Sequence, residues 1–319
     1  ATIGGTYIFE NKGTRQKTFL SHNPAGVNTT DGMTTGRTAT FTGNLDLISS
    51  SSGLTVGVEH QLWDKQNNYN GYSVFNNNGI ITLSSGDEIV GIMIDSENYN
   101  LQGAQKKNNN QTKNTRKIII NSTKSIGMDF GFYGNYPYLP VDVTLGDIEI
   151  NGKENYGFRM RNHVLSGGAN TYYDDVTVSG GGSGKTITVK GEKNVGIAIG
   201  QSLSSGVTEQ HTFITSGSLA GPYTESGNLN YERLGENPLS NFFGTNIKVS
   251  GVEGVGILRM EGYSANNTND FIFFDTFTDS SSTGQTGNIG TFDIDNTNNS
   301  PYTDIVIGIS VTKTRHGAT

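Results

Sequence analysis

The sequence predicts an all-β protein, a right-handed parallel β-helix (a solenoid) with loop insertions. Three observations lead there. One strand-turn-strand pattern recurs along the chain. Within it apolar and polar residues alternate, as half-buried strands require. No stretch carries the competing periodicity of a helix, which removes βαβ and leucine-rich repeats.

The pattern is clearest between Asp147 and Met160. A short strand, Ile148-Glu149-Ile150, runs into a polar turn, and a second strand follows with glycine near its start, Tyr156-Gly157-Phe158-Arg159-Met160. Aligned on that glycine, the copies are Leu45 to Leu47 with Thr55 to Val58, Ile81 to Leu83 with Ile89 to Ile94, and Ile118 to Ile120 with Ile126 to Phe130. Further on come Ile187 to Val189 with Val195 to Ile199, Ile247 to Val249 with Val255 to Met260, and Phe292 to Ile294 with Ile305 to Val311. The glycine-to-glycine steps are 34, 36, 30, 39, 60 and 52 residues. The first four are one period. Each of the last two holds a large insertion or a degenerate extra coil.

A hairpin this small cannot bury its own apolar side. Stacked copies bury a continuous column of Ile, Val, Leu and Phe, each pairing with the coil above and below. Each coil would hold the two strands, the tight turn and a third strand in the longer polar return. The repeated glycine suits a sharp bend or a close approach of two backbones. Seven to nine coils at about 4.8 Å each make a rod of roughly 35–45 Å. A two-sheet sandwich also uses many short strands at regular spacing, but it needs no fixed strand-turn-strand pattern.

Residues 1–40 are Thr- and Gly-rich with weak alternation, and read as an irregular N-terminal coil or cap. A solenoid end needs one to hide its strand edge. Residues 41–319 read as the β-helix, with insertions at about 201–246 and 263–288. Lys313 to Thr319 reads as a cut end, and the start at Ala1, without initiator Met or signal peptide, as that of a mature or excised piece.

Composition narrows the function. Only 16% of the 319 residues are charged and 33% are hydrophobic, with 44 glycines and no cysteine. Asn, Ser, Thr and Gly take the place of charge, as in an exposed, turn-rich β protein. The net charge of −7 and the lack of a basic cluster argue against nucleic acid. Lys106-Lys107 and Lys113 to Lys117 read as a solvated, Asn-rich connection. Without cysteine there are no disulfides, thiolate chemistry or Cys-based zinc sites, which fits a bacterial secreted protein. No run of about eighteen apolar residues offers a membrane span.

No motif assigns a catalytic residue, a metal or a cofactor. Ser179 to Thr186 resembles a phosphate loop, but a strand follows where a helix must open, so no nucleotide is expected. The same stretch nearly matches a calcium-binding nonapeptide, with Thr186 in place of the Asp ligand. Asp293, Asp295 and Asp304 could gather around one loop, yet Asp and Asn favour turns for backbone reasons alone. His22, His60, His163, His211 and His316 lie far apart, without metal-ligand spacing, and read as surface residues. Asp174-Asp175 is the adjacent acid pair in an aromatic setting, and a glycosidase would use two carboxylates. The companion motifs of polygalacturonases are missing.

Aromatic residues gather outside the repeated pattern. Tyr133, Tyr136, Tyr138, Tyr172, Tyr173, Asp174, Asp175, Tyr223, Tyr231 and Phe242 are the candidate ligand-binding residues. Exposed Tyr beside Asn and Asp suits sugar stacking or protein docking, and loops on a rigid scaffold commonly carry binding sites.

With the rungs in view, seen again in Ile187 to Ile199, residues 40 to 312 resemble the passenger region of type V autotransporters, closest to the very large surface adhesins of anaerobic Gram-negative bacteria. The resemblance implies a rod on the cell surface, secreted through and held by an outer-membrane β-barrel translocator in the parent chain. It implies adhesion to a glycan or protein receptor on host or neighbouring bacterial cells, and a role in virulence. The Gly-Asp-Ser-Gly motif of protease-type passengers is absent. Vacuolating-toxin-like passengers share the scaffold. Three readings stand: an adhesin, a passive stalk, and a polysaccharide-cleaving enzyme using Asp174 or Asp175.

Overall fold

The structure, a computed structural model, describes residues 1–22, 37–61, 73–98, 110–134, 141–163, 176–181, 184–203, 245–261, 292–295 and 307–313. These form a parallel β-solenoid of three sheets, with no helix among the described residues. Sheet A contains β1 (Thr2–Ile3), β4 (Arg37–Phe41), β7 (Ser73–Asn77), β10 (Asn110–Asn114), β13 (Val141–Thr144) and β16 (Val176–Ser179). Sheet B contains β2 (Thr6–Asn11), β5 (Asn44–Ser49), β8 (Ile80–Ser85), β11 (Lys117–Ile120), β14 (Asp147–Ile150), β17 (Lys185–Val189), β19 (Thr245–Ser250) and β21 (Phe292–Asp295). Sheet C contains β3 (Lys17–His22), β6 (Thr55–Gln61), β9 (Ile89–Asn98), β12 (Ile126–Gly134), β15 (Tyr156–His163), β18 (Val195–Leu203), β20 (Val255–Glu261) and β22 (Ile307–Lys313).

The chain passes A, B, C and begins again, so each strand pairs with its counterpart one coil away. The repeated sequence pattern is the passage from B to C, and sheet A is the third strand in the return. β17 pairs directly with β19 and β18 with β20, so the 60-residue step adds no coil to sheets B and C. Residues 1–22 supply β1, β2 and β3, which pair in register with the next coil.

Inward residues of adjacent coils stack in files. Leu45, Ile81, Ile118, Ile148, Ile187 and Ile247 share one register position and are all buried. At about 0.8 kcal/mol per buried methylene, such files dominate the stability of the rod. The repeated glycine marks where strand C crosses this column. A Cβ on Gly127 would lie 2.6 Å from the carbonyl oxygen of Gly157, and one on Gly157 equally close to that of Gly196. Close approach of two backbones is therefore the reason for glycine here.

Two expectations are corrected. Lys113 to Lys117 is not a solvated connection: it spans the end of β10, the corner and the start of β11, and Asn110, Thr112 and Asn114 point into the interior. Nor is sheet C simply apolar inside and polar outside. Val56, Val90, Ile126, Tyr156, Val195 and Val255 stack into a second buried cluster, apart from the interior one.

Candidate functional site

The three corners of the coil differ in what fixes them. From A to B the turns are residues 4–5, 42–43, 78–79, 115–116 and 145–146. A Cβ on Gly43 would meet the carbonyl of Gly5 at 2.1 Å, and one on Gly79 would meet that of Gly43 at 2.1 Å. The alignment on the sheet C glycine missed this second glycine file; its signal is the glycine before Asn44, Ile80 and Asp147.

From B to C the described turns are residues 12–16, 50–54, 86–88, 121–125, 151–155, 190–194 and 251–254. Lys124, Glu154, Lys193 and Glu253 repeat a left-handed backbone there, with φ of 47°, 56°, 54° and 53°. Buried asparagines bind one turn to the next. Asn155 Oδ1 accepts from the Ser125 N–H at 2.8 Å, and Asn194 Oδ1 accepts from the Asn155 N–H at 2.8 Å. A turn so closely tied to its neighbours has little freedom to vary.

From C to A the connections are residues 23–36, 62–72, 99–109, 135–140 and 164–175. They are longer and more unequal than the described turns at the other two corners, and every one leaves from the same edge of the solenoid. Their stems are paired: in sheet C, Phe132 lies opposite Ser96, Tyr133 opposite Glu97, and His163 opposite Leu203.

In sequence, the candidate binding residues belong to β12 and to the stretches that follow β12, β15 and β18. Tyr133 lies on β12. Tyr136, Tyr138, Tyr172, Tyr173, Asp174, Asp175, Tyr223, Tyr231 and Phe242 lie outside the described residues. So do most of the 201–246 insertion and all of 263–288; Gln201 to Leu203 are the end of β18, and Thr245 and Asn246 begin β19. The topology brings the departure points at β12, β15 and β18 side by side.

Two clusters of polar side chains went unnoticed in the sequence because their members lie from 13 to 52 residues apart along the chain. On sheet C, Arg159 grips Asp129 with both ends of its guanidinium, Nε donating to Oδ1 at 3.0 Å and Nη2 to Oδ2 at 2.9 Å, with both side chains fully buried. The guanidinium lies 5.7 Å from the Tyr156 ring centre. Burial raises the Tyr156 pKa, against the pull of Arg159. A buried bidentate pair of this kind holds two coils in register.

The other cluster corrects the reading of His60 as a surface residue, and leaves His22 only partly exposed. His60 is fully buried, its Nδ1 2.8 Å from Thr112 Oγ1 and its Nε2 2.8 Å from Ser73 Oγ. His22 stacks on it, with ring centres 5.2 Å apart. The Ser73–His60 contact has the spacing of a nucleophile and its base. Yet Ser73 is fully buried too, and the third partner is a threonine, which cannot balance an imidazolium charge. The arrangement satisfies interior polar groups.

The expected strand after Gly184 is present as β17. Lys185 opens it, and its ammonium binds Asp147 Oδ2 at 3.1 Å and the Thr115 carbonyl at 2.9 Å rather than offering itself to a phosphate. Asp293 and Asp295 lie on β21, while Asp304 lies outside the described residues. Among the described residues no three His, Asp or Glu side chains are grouped as a metal site. No family model, no curated protein and no solved structure matches the chain.

Proposed function

We propose that this chain is part of a bacterial surface-displayed autotransporter adhesin that attaches the cell to host or neighbouring bacterial cells. It acts by binding, not catalysis, outside the cell, held there through an outer-membrane barrel of the parent chain. The observation that carries the reading is the arrangement of the corners. Two of the three are held by stacked glycines, left-handed turns and asparagine ladders. The third sends out every long C-to-A connection, and the aromatic candidates follow those exits. A rigid rod with variable connections on one flank is a suitable support for recognition. The receptor contacts are assigned to the connections after β12, β15 and β18.

The test is binding of the labelled chain to a broad glycan array and to intact cells, beside variants in which 135–140, 164–175 or 206–243 is replaced by a short Gly/Ser linker. Loss of binding in one variant, with its thermal transition intact, locates the site. Binding that survives all three replacements overturns the assignment to this flank. Absence of binding by the parent protein would instead favour a passive stalk.

A further inference from the structure

His22 and His60 occupy equivalent positions on β3 and β6, one coil apart. Their rings stack at 5.2 Å with 24° between the planes. Each stands just before the chain leaves sheet C, His22 ahead of residues 23–36 and His60 ahead of 62–72. His60 reaches across the corner to the far end of its own connection. Its Nε2 contacts Ser73, the first residue of β7, and its Nδ1 contacts Thr112 on β10, which receives the chain after 99–109. The Ser73 N–H in turn donates to Asn110 Oδ1 at 2.9 Å. One imidazole thus joins the departing strand of one coil to the arriving strands of two others.

This site suits only neutral rings. Thr112 and Ser73 offer hydroxyls, which can donate or accept as the tautomer requires but carry no balancing charge. Phe75 faces His60 with ring centres 6.1 Å apart, and Ile94 lies beside it in register. The charged groups acting on His22 are the Arg37 side chain and the α-amino group of Ala1, both cationic, and the charge acting on His60 is that of His22. Asn110, Ser73 and Thr112 complete the polar surroundings without charge. His22 Nε2 is buried with no hydrogen-bond partner among the described residues. Two imidazolium ions in this stack would repel each other in a medium of low polarity.

We propose that the stacked His22–His60 pair is an acid-operated latch: neutral, it ties the first two coils to the strands that follow them, and protonated, it releases them. The latch is a property of the fold and does not depend on the flank's binding a receptor. Burial lowers both pKa values, and that of His60 well below the ordinary histidine value. Backbone groups of Arg37 and Val74 oppose the shift at His22. The folded state therefore binds fewer protons than the unfolded chain below about pH 6.5. Stability is full above that pH and is lost as acid protonates the opened state.

The test is amide hydrogen exchange of the intact chain at pH 7.5 and 5.0, corrected for the intrinsic pH dependence of exchange. Protection of residues 1–22 and 37–61 is expected to fall about tenfold or more at pH 5.0. The ceiling is roughly thirtyfold per histidine, since that pH lies about 1.5 units below the free value. Protection in 141–163, several coils away, should hold. His60→Gln can hydrogen-bond without taking a proton and is expected to remove most of the loss. Equal protection of the wild type at both pH values overturns the latch, as does an undiminished loss in His60→Gln. If that variant does not fold, NMR titration of the wild-type histidines decides. A His60 ring that stays neutral down to about pH 5 while the two coils remain closed supports the latch, and one titrating at or above about 6.5 overturns it.

Discussion

Sheets A and B line the same interior, yet they do so with different chemistry. In sheet B the inward residues are Leu and Ile through most of the coils, from Leu45 to Ile150. Sheet A mixes apolar residues, Ala39, Phe41, Phe75, Val143 and Val178, with buried polar ones in β7 and β10, namely Ser73, Asn77, Asn110, Thr112 and Asn114. Sheet B needs only shape, since its side chains have no polar atoms to satisfy. Sheet A succeeds because repetition supplies a partner. Asn77 Nδ2 donates to Asn114 Oδ1 at 2.8 Å, and Asn114 Nδ2 donates to the Leu145 carbonyl at 2.6 Å. A buried amide is costly alone and stable in a satisfied ladder.

The largest effect that would expose this difference is a cavity in sheet B. Ile118 is enclosed by the coils on both sides. Ile118→Ala is expected to cost about 2–5 kcal/mol, measured as a fall in the urea midpoint at constant slope. A loss below about 1 kcal/mol would mean that the coils close over the gap and that the column is not tightly packed.

Next comes the polar ladder. Asn114→Ala removes the acceptor for Asn77 and the donor to Leu145, and is expected to cost about 1–3 kcal/mol. Asn77→Ala should cost about 1 kcal/mol or more, since the Gly79 N–H also donates to Asn77 Oδ1 at 3.2 Å. The double variant should lose less than the sum, with a coupling of roughly 0.5 kcal/mol or more. Strict additivity would show that each amide is held by its own backbone contacts and that the ladder is incidental.

This contrast also explains what the sequence revealed. The repeated pattern was legible because sheets B and C write the inside of the fold in Ile, Leu and Val. Strand β10 of sheet A writes it in Asn and Thr, so Lys113 to Lys117, which begins on that strand, looked like a solvated connection. The same blindness applied to His60, whose partners Ser73 and Thr112 are close only because the coil returns. Distance along a solenoid counts in coils: His22 and His60 looked unrelated, yet they are neighbours one coil apart, as are Asp129 and Arg159. The second cluster on sheet C was hidden for another reason. Val56, Ile126 and Tyr156 stand just before the glycine, where alternation is broken and a strand's two faces cannot be assigned by counting. For the candidate binding residues, the sequence supplied the aromatic clusters, and the topology added that the connections after β12 and β15 leave from a common edge.

The smallest effect lies on the outside of sheet B, where Lys117 Nζ contacts Glu149 Oε2 at 2.6 Å and both side chains remain partly exposed. Lys190 approaches the other oxygen of Glu149 at 3.5 Å. Lys117→Ala is expected to cost at most about 1 kcal/mol, and the difference from wild type should shrink in high salt as the charges are screened. The hydrogen bond from Lys117 is the main influence holding the Glu149 pKa below its ordinary 4.5, with burial opposing it. Its contribution is therefore complete above that pH and disappears as acid reaches the lowered folded value. The histidine pair acts in a different window, beginning near pH 6.5. A stability profile with two separate acid limbs, the lower one reduced by Lys117→Ala and the upper one by His60→Gln, would separate surface from interior electrostatics. A single limb untouched by His60→Gln would place all the acid sensitivity in carboxylates and leave the interior of this corner without a titrating group.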